Sequence, residues 1–446
     1  MKHRGRHRRR RRGRALRASL AGTALALTAA ATLISTSQAA GGKTPGGLSA
    51  VGSAAELRDL RLKENLTDRT ALETLTAGMG GRVGVDEVLR SANHTMRDEG
   101  DCFVTEKGVL PVAPKAARAY CWEAPDAVDD RWRPQSVTTS RDNKVIVSGW
   151  THAGTTAGEE GLARVAFVDA SDPSDLKYRW VLLVVPQADG KGLKAVRSRL
   201  GGMAWYENKL IVTARNPQNS GYRDDSLFVF DLDRFLRADV TDSDAIGKVG
   251  RGFSAHHYRY VLPAVASYSP ASGDACDAGG NDGVPCLTSV SLDRTSTPPS
   301  VVANESFPTG SGTAARVWRY DLDTVSDRAG LLGITGRQGE VEADEAYETK
   351  ATGVRGVLSH DGDWYVSQAA AKQGQHGTVW RQDEDRARAA SCTNGTSEHQ
   401  SYACWGLHGG PLSYSPETGE LWTLTAPVPE RLLYAVKLSD VDRALE

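Results

Sequence analysis

Beyond residue 40 the sequence has no apolar run near the ~20 residues that a membrane-spanning helix requires. It also lacks a G-x-S-x-G elbow, an H-E-x-x-H helix, a phosphate-cradling Walker loop and any C-x-x-C pair. Serine-nucleophile, zinc-protease, nucleotide and structural-zinc chemistry therefore have no local signature. Acid is missing from one region only. Residues 1 to 39 carry one Lys, nine Arg and neither Asp nor Glu.

That region opens MKHRGRHRRRRRGR, continues through the apolar ALRASLAGTALALTAAATLISTSQA, and offers small residues at Ser37 and Ala39. A basic stretch, an apolar stretch and a small-residue site in this order read as a signal peptide cleaved after Ala39. A nucleic-acid arm would explain the arginines but not the apolar stretch behind them. Of the 54 basic and 55 acidic residues, cleavage leaves 44 and 55, a net charge of −11. Such a surface disfavours broad binding to nucleic acid or anionic lipid. The expected product is secreted and extracellular, free of stable membrane insertion, and monomeric.

Six cysteines fall into three sequence-local pairs, Cys102 with Cys121, Cys276 with Cys286, and Cys392 with Cys404. An even set in an oxidising compartment reads as disulfides. Neighbour pairing is expected among 15 possible connectivities, each bridge contributing roughly 2–4 kcal/mol.

Residues 40–129 read as a Gly/Ser-rich linker and a small helical segment, with AAELRDLRLKENLTDRTALETL (54–75) and VDEVLRSANHTMR (85–97) favouring helix. From about residue 130 the text changes to short β-rich runs. PQSVTTSRDNKVIVSGW, LGGMAWYENKLIVTAR, GVRGVLSHDGDWYVSQ and GGPLSYSPETGELWTLT share one hairpin register, with turns at Asp142–Asn143, Glu207–Asn208, Asp361–Gly362 and Glu417–Gly419. Further strand strings, VAFVDAS, LFVFDLD, VWRYDLD, TVWRQD and LYAVKLS, recur as well. The second strand of each hairpin is apolar at consecutive positions, as expected where both faces are covered.

Small sheets repeated in this way bury their faces by radial packing. The fold class read from residues 130–446 is an all-β propeller of five blades, or six, centred on 134–186, 201–268, 283–323, 353–383 and 409–441. Two unrelated β-sandwiches are the competing architecture, disfavoured by repeat strings in register.

At GGPLSYSPETGELWTL, GGMAWYENKLIVTA and LFVFDLD the chain resembles secreted actinobacterial propeller proteins of no assigned activity. More distantly it is similar to the gluconolactonase and strictosidine-synthase propellers. Resemblance to the lactonases implies a calcium ion held by Glu, Asn and Asp at the channel mouth, yet no acid stands at the corresponding positions here. No metal or other cofactor is expected.

Loops leading into innermost strands would gather at one mouth. They carry Gln135, Ser136, Arg199, Arg355 and His408, with Trp150 and His152 leaving the first hairpin. Guanidinium, imidazole and amide groups suit carboxylate, phosphate or sugar hydroxyls, and Trp150 or Trp405 could stack on a sugar ring. The acidic DACDAGGNDG (274–283) lacks the ligand order of a calcium loop and reads as a disulfide-closed turn. His256 and His257, if on a strand, face opposite ways and do not share a metal. Asn394-Gly395-Thr396 is a glycosylation-type sequon of little weight here.

The expected function is binding of an extracellular anionic or polyhydroxylated ligand, a polysaccharide, cell-wall fragment or small anion. The alternative is a metal-independent hydrolase or lyase acting on an ester, lactone or glycan, with His152 or His408 as general base.

Overall fold

The computed structural model describes residues 44–154, 158–213, 227–372, 374–393 and 400–445, and all statements below concern these. The proposed leader and the Asn394 sequon lie outside them. The described chain is mostly β, about 43% strand and 11% helix.

Five antiparallel sheets follow one another along the chain. Sheet I contains Trp132–Thr139, Val145–His152, Ala163–Asp169 and Lys177–Pro186. Sheet II contains Met203–Tyr206, Lys209–Thr213, Leu227–Asp231 and Tyr260–Pro270. Sheet III has Ser289–Asp293, Ser300–Asn304, Ala315–Asp321 and Glu345–Thr349. Sheet IV has Val354–His360, Asp363–Gln368, Thr378–Gln382 and Ala387–Arg388. Sheet V combines Ser413–Ser415, Glu420–Leu424 and Leu432–Lys437 with the distant Arg118–Cys121.

Sheets I and II are continuous, because Tyr260–Pro270 pairs antiparallel with Leu227–Asp231 and, through Val261–Pro263, parallel with Leu182–Val184. The resulting eight-strand run is barrel-like and nearly closed, since its end strands, Met203–Tyr206 and Trp132–Thr139, approach each other. The hairpins expected from sequence form at their expected turns. Asn143, Glu207, Asp361, Gly362 and Gly419 take positive φ there, the conformation that tight hairpins demand. The stretch after Cys286, which fits the repeat poorly, forms a hairpin too.

Each second strand buries alternate residues in different cores. Val145 and Val147 pack between sheets I and II, whereas Ile146 packs between V and I. Leu210 and Val212 face the I/II core, whereas Ile211 faces II/III. Trp364 and Val366 enter the III/IV core, whereas Tyr365 enters IV/V. Consecutive apolar residues thus serve two neighbouring junctions, as the period of a strand requires.

The first strands meet one another around a common centre, I against II and V, and III against II and IV. Contact there is too close for side chains at several points. A Cβ on Gly202 would lie 2.0 Å from the Val290 backbone nitrogen, and one on Gly356 would lie 2.7 Å from Pro411 Cα.

Residues 40–129 depart from the expected linker and helical cap. Helices do form at Ala54–Asp59, Arg69–Gly78 and Val85–Arg90, the first two capped by Ser53 and Asp68. Between them LKENL is a strand, Leu62–Leu66, paired along Ala266–Pro270 of sheet II. Indeed the segment touches every sheet in turn, at the end of the third strand in sheet IV and at the outer strand in the others. Gly46 and Leu48 bond to Gln382 and Asp383 of sheet IV. Ser49–Ala50 pairs with sheet III, His94–Thr95 with sheet I, and Arg97–Asp98 with the outer strand of sheet V.

The three disulfides are Cys102–Cys121, Cys276–Cys286 and Cys392–Cys404. The first joins two parts of this N-terminal belt, fixing Cys102 to the outer strand of sheet V. The second closes the acidic turn, where Asp277 accepts from the Gly279 N–H and Asn281 donates to Glu348.

Two outcomes follow. Gly202→Ala should lower stability by roughly 1–3 kcal/mol through overpacking, read as a fall in Tm, whereas Gly100→Ala, with open space around it, should change Tm little. A chain starting at residue 130 should be insoluble or unfold without cooperativity, as size-exclusion chromatography and calorimetry would show, because its sheet edges are bare.

Candidate functional site

A cavity of about 820 Å³ opens where the loops leading into the first strands of sheets I, II, IV and V converge. Gln135, His152, Arg199, Arg355 and His408 all line it. They come from four sheets and span residues 135 to 408 of the chain.

Two of these side chains are aimed by the same backbone device. In sheet I, Pro134 opposes Trp150 and Ser136 opposes Gly149, leaving Gln135 as the extra residue of a bulge. In sheet IV, Val354 opposes Gln368 and Gly356 opposes Ser367, leaving Arg355 extra. A bulge turns one side chain out of the sheet's alternation. The Gln135 carbonyl oxygen accepts from Thr151 Oγ1 at 2.8 Å and from the Leu200 N–H at 2.9 Å, tying the loop of sheet II to sheet I.

His408 and Gly409 both have positive φ, 74° and 58°. A Cβ on Gly409 would stand 3.3 Å from Arg355 Cγ, so Arg355 passes beside the His408 turn. His408 Nε2 lies 2.5 Å from Glu430 Oε2. Its imidazole is therefore engaged at the rim.

His152 differs, being only 5% exposed with Nδ1 free of any partner among the described residues. Nε2 lies 3.9 Å from Glu159 Oε2, while the other oxygen of Glu159 lies 3.4 Å from His256 Nε2. Burial pushes the His152 pKa down, partly opposed by Glu159 and reinforced by Arg131.

Ser136 and Trp150 do not reach the cavity. Ser136 is fully buried against Gly149, behind the bulge that exposes its neighbour. Trp150 is 0% exposed, with the guanidiniums of Arg164 and Arg431 each close over its ring, which stands edge-on to Trp122 and Trp180. Trp405 is buried against Tyr434. Both tryptophans are core residues, since alternation along the strand carried Trp150 inward. His256 and His257 sit on a turn after Gly252–Ala255 rather than on a strand, both with positive φ. They face different acids, Glu159 and Asp244.

The cavity also contains cations that sequence reading passed over. Arg133 and Lys372 join Arg199 and Arg355 in its lining. All four side chains are exposed, and none forms an ion pair with a described residue. Glu160 is the one carboxylate in the described lining. Arg133 stands two residues before Gln135, a spacing that shared its strand face and could have flagged it. Lys372 follows the second strand of sheet IV in a loop and carries no such signal.

Away from the cavity, several buried or half-buried arginines are paired. Buried Arg316 makes a two-pronged bond to Glu305, Arg328 bonds Glu64 and Asp323, and Arg97 bonds buried Glu106. His94, Glu123 and Asp126 come close enough together to ligate an ion, but Asp126 is already bonded by Tyr178, Trp180 and Arg164.

By NMR titration His152 should show a midpoint below the ~6.5 of a free histidine. Because its folded pKa is depressed, its contribution to stability is present above pH ~6.5 and is lost as pH falls below that value. His152→Gln should flatten this part of the stability profile, measured by denaturation between pH 7 and pH 5.

No protein-family model matches the chain, and no curated protein matches it. Among solved structures it is similar to a glucose dehydrogenase, at 12% identity over 68% of this chain and 82% of that one, with a TM-score of 0.31. It is similar as well to Trypanosoma rangeli sialidase in complex with 2,3-difluorosialic acid, at 9% identity over 78% of this chain and 59% of that one, with a TM-score of 0.30. Likeness at this level identifies neither a substrate nor an activity for this chain.

Proposed function

We propose that the five sheets are the blades of a five-bladed β-propeller, that the protein is exported, and that the cavity is its ligand-binding mouth. The ligand class is an extracellular anionic or polyhydroxylated molecule, a polysaccharide, cell-wall fragment or small anion. One observation carries the reading: Arg133, Arg199, Arg355 and Lys372 are gathered in one cavity with no ion-pair partner among the described residues and a single carboxylate, Glu160, in the described lining. Unpaired guanidiniums held on a rigid scaffold are ready to bind carboxylate or phosphate at small reorganisation cost. Three disulfides fit an oxidising compartment, and no described helix is long and apolar enough to cross a membrane.

A second reading, hydrolase or lyase, draws support from His152. A buried imidazole held neutral, with Glu159 behind it and cations sharing its cavity, has the attributes of a general base near an anion-stabilising group.

The test is a thermal-shift screen against sugars, cell-wall fragments and organic anions, followed by titration of the stabilising ligand. An anion that binds the folded protein should raise Tm by mass action. The Arg199→Ala/Arg355→Ala double variant should bind at least ~100-fold more weakly, given about 1.5–3 kcal/mol for each charged hydrogen bond. Unchanged affinity would overturn the reading. If the ligand is also turned over, His152→Gln should abolish turnover while leaving binding within a few fold.

A further inference from the structure

The four cations are not spread evenly round the mouth. Arg133 lies near the start of the first strand of sheet I, and Arg199 leads into the first strand of the adjacent sheet II. Gln135 holds these two neighbourhoods together through Thr151 and the Leu200 N–H. Arg355 lies on the first strand of sheet IV, and Lys372 lies in the loop leaving that sheet's second strand. Sheet III separates the two pairs on one side and sheet V on the other.

Those intervening walls carry no lysine or arginine in the described lining, and the imidazole of His408 there is engaged by Glu430. Sheet III presents Thr288, Ser306, Phe307 and Thr309, whereas sheet V presents Gly409, Gly410, Pro411 and Pro427. The mouth is therefore bipolar in layout, with two cationic poles and hydroxyl, apolar and backbone surface between them.

Resting on the reading of this cavity as an anion site, we infer that its ligand is a polyanionic oligosaccharide with charges on separate residues, lying across the mouth from sheets I and II to sheet IV. Carboxylates on uronic acids and phosphodiesters between sugars supply this chemistry equally. Each pole takes one anionic group, and the ring hydroxyls between them face Thr288, Ser306 and Thr309. Once the first anion is bound, the second binds at a high local concentration, so affinity depends steeply on length. The volume of about 820 Å³ lies within the range of sites that enclose small ligands.

The experiment titrates the purified protein by calorimetry with galacturonic acid and its dimer, trimer and tetramer, with glycerol-phosphate oligomers of matching lengths as a second arm. Neutral galactose oligomers serve as the reference. In the wild type, an oligomer long enough to reach both poles should bind ~10²-fold or more tightly than the monomer, with affinity falling as salt rises. Arg133→Ala/Arg199→Ala and Arg355→Ala/Lys372→Ala, each checked for native circular dichroism, should both reduce that oligomer to roughly monomer affinity. Which arm shows the steep dependence identifies carboxylate or phosphodiester as the anion. Monomer and tetramer binding with equal affinity would overturn the two-pole inference while leaving the anion site standing. Binding of neutral oligomers alone would overturn the inference together with the anion reading, while absence of any binding by both charged series would overturn the inference alone.

Discussion

Sheets I, II, III and V have outer edges whose N–H and C=O groups need partners, and one segment of chain meets that need at all four while also touching sheet IV. Residues 46 to 121 touch sheets IV, III, II, I and V in that order. Unpaired edges invite pairing with other chains. In sheets I, II and III the belt pairs with the outer strand through main-chain bonds, and in sheet V it supplies the fourth strand itself. Cys102–Cys121 then fixes that strand to the segment before it.

With the periphery held, the centre can be tight. Gly202 and Gly356 let first strands approach backbone to backbone, and Ser136, Ser289 and Ser415 fill the remaining space as small buried residues. Tight packing at the centre is what makes the mouth rigid. Bulges at Gln135 and Arg355 then turn polar side chains out of a frame that does not move to accommodate them. The polar groups of the mouth are set by local backbone irregularities within a regular scaffold.

Much of this was legible in the sequence because its cause is local. Turn residues such as Asp361–Gly362 announce a hairpin, paired cysteines closed as neighbours, and consecutive apolar residues in Leu210-Ile211-Val212 signalled two covered faces. The belt was not legible, because main-chain pairing places little demand on side chains and LKENL reads as helix until Ala266–Pro270 lies beside it. Trp150 was misjudged for a related reason. Its position leaving the first hairpin suggested a loop edge, but the strand runs from Val145 to His152 and the bulge opposite it fixes which residues turn inward. Arg133 and Lys372 were overlooked since an unpaired charge is defined by what is absent around it, which only three-dimensional packing reveals.

The belt has a consequence for how the chain reaches this state. Residues 46 to 121 are made first, yet their partners follow much later. Arg118 bonds Glu420 across 302 positions, and Asn65 bonds Ser269 across 204. High contact order of this kind slows folding, since loop closure must precede the contacts that reward it. Synthesis running from the N-terminus leaves sheet V incomplete until residue 437 has emerged, because its fourth strand must wait for its third. The closing event joins early chain to late chain, so a ribosome-bound fragment ending before that strand lacks its last stabilising seam.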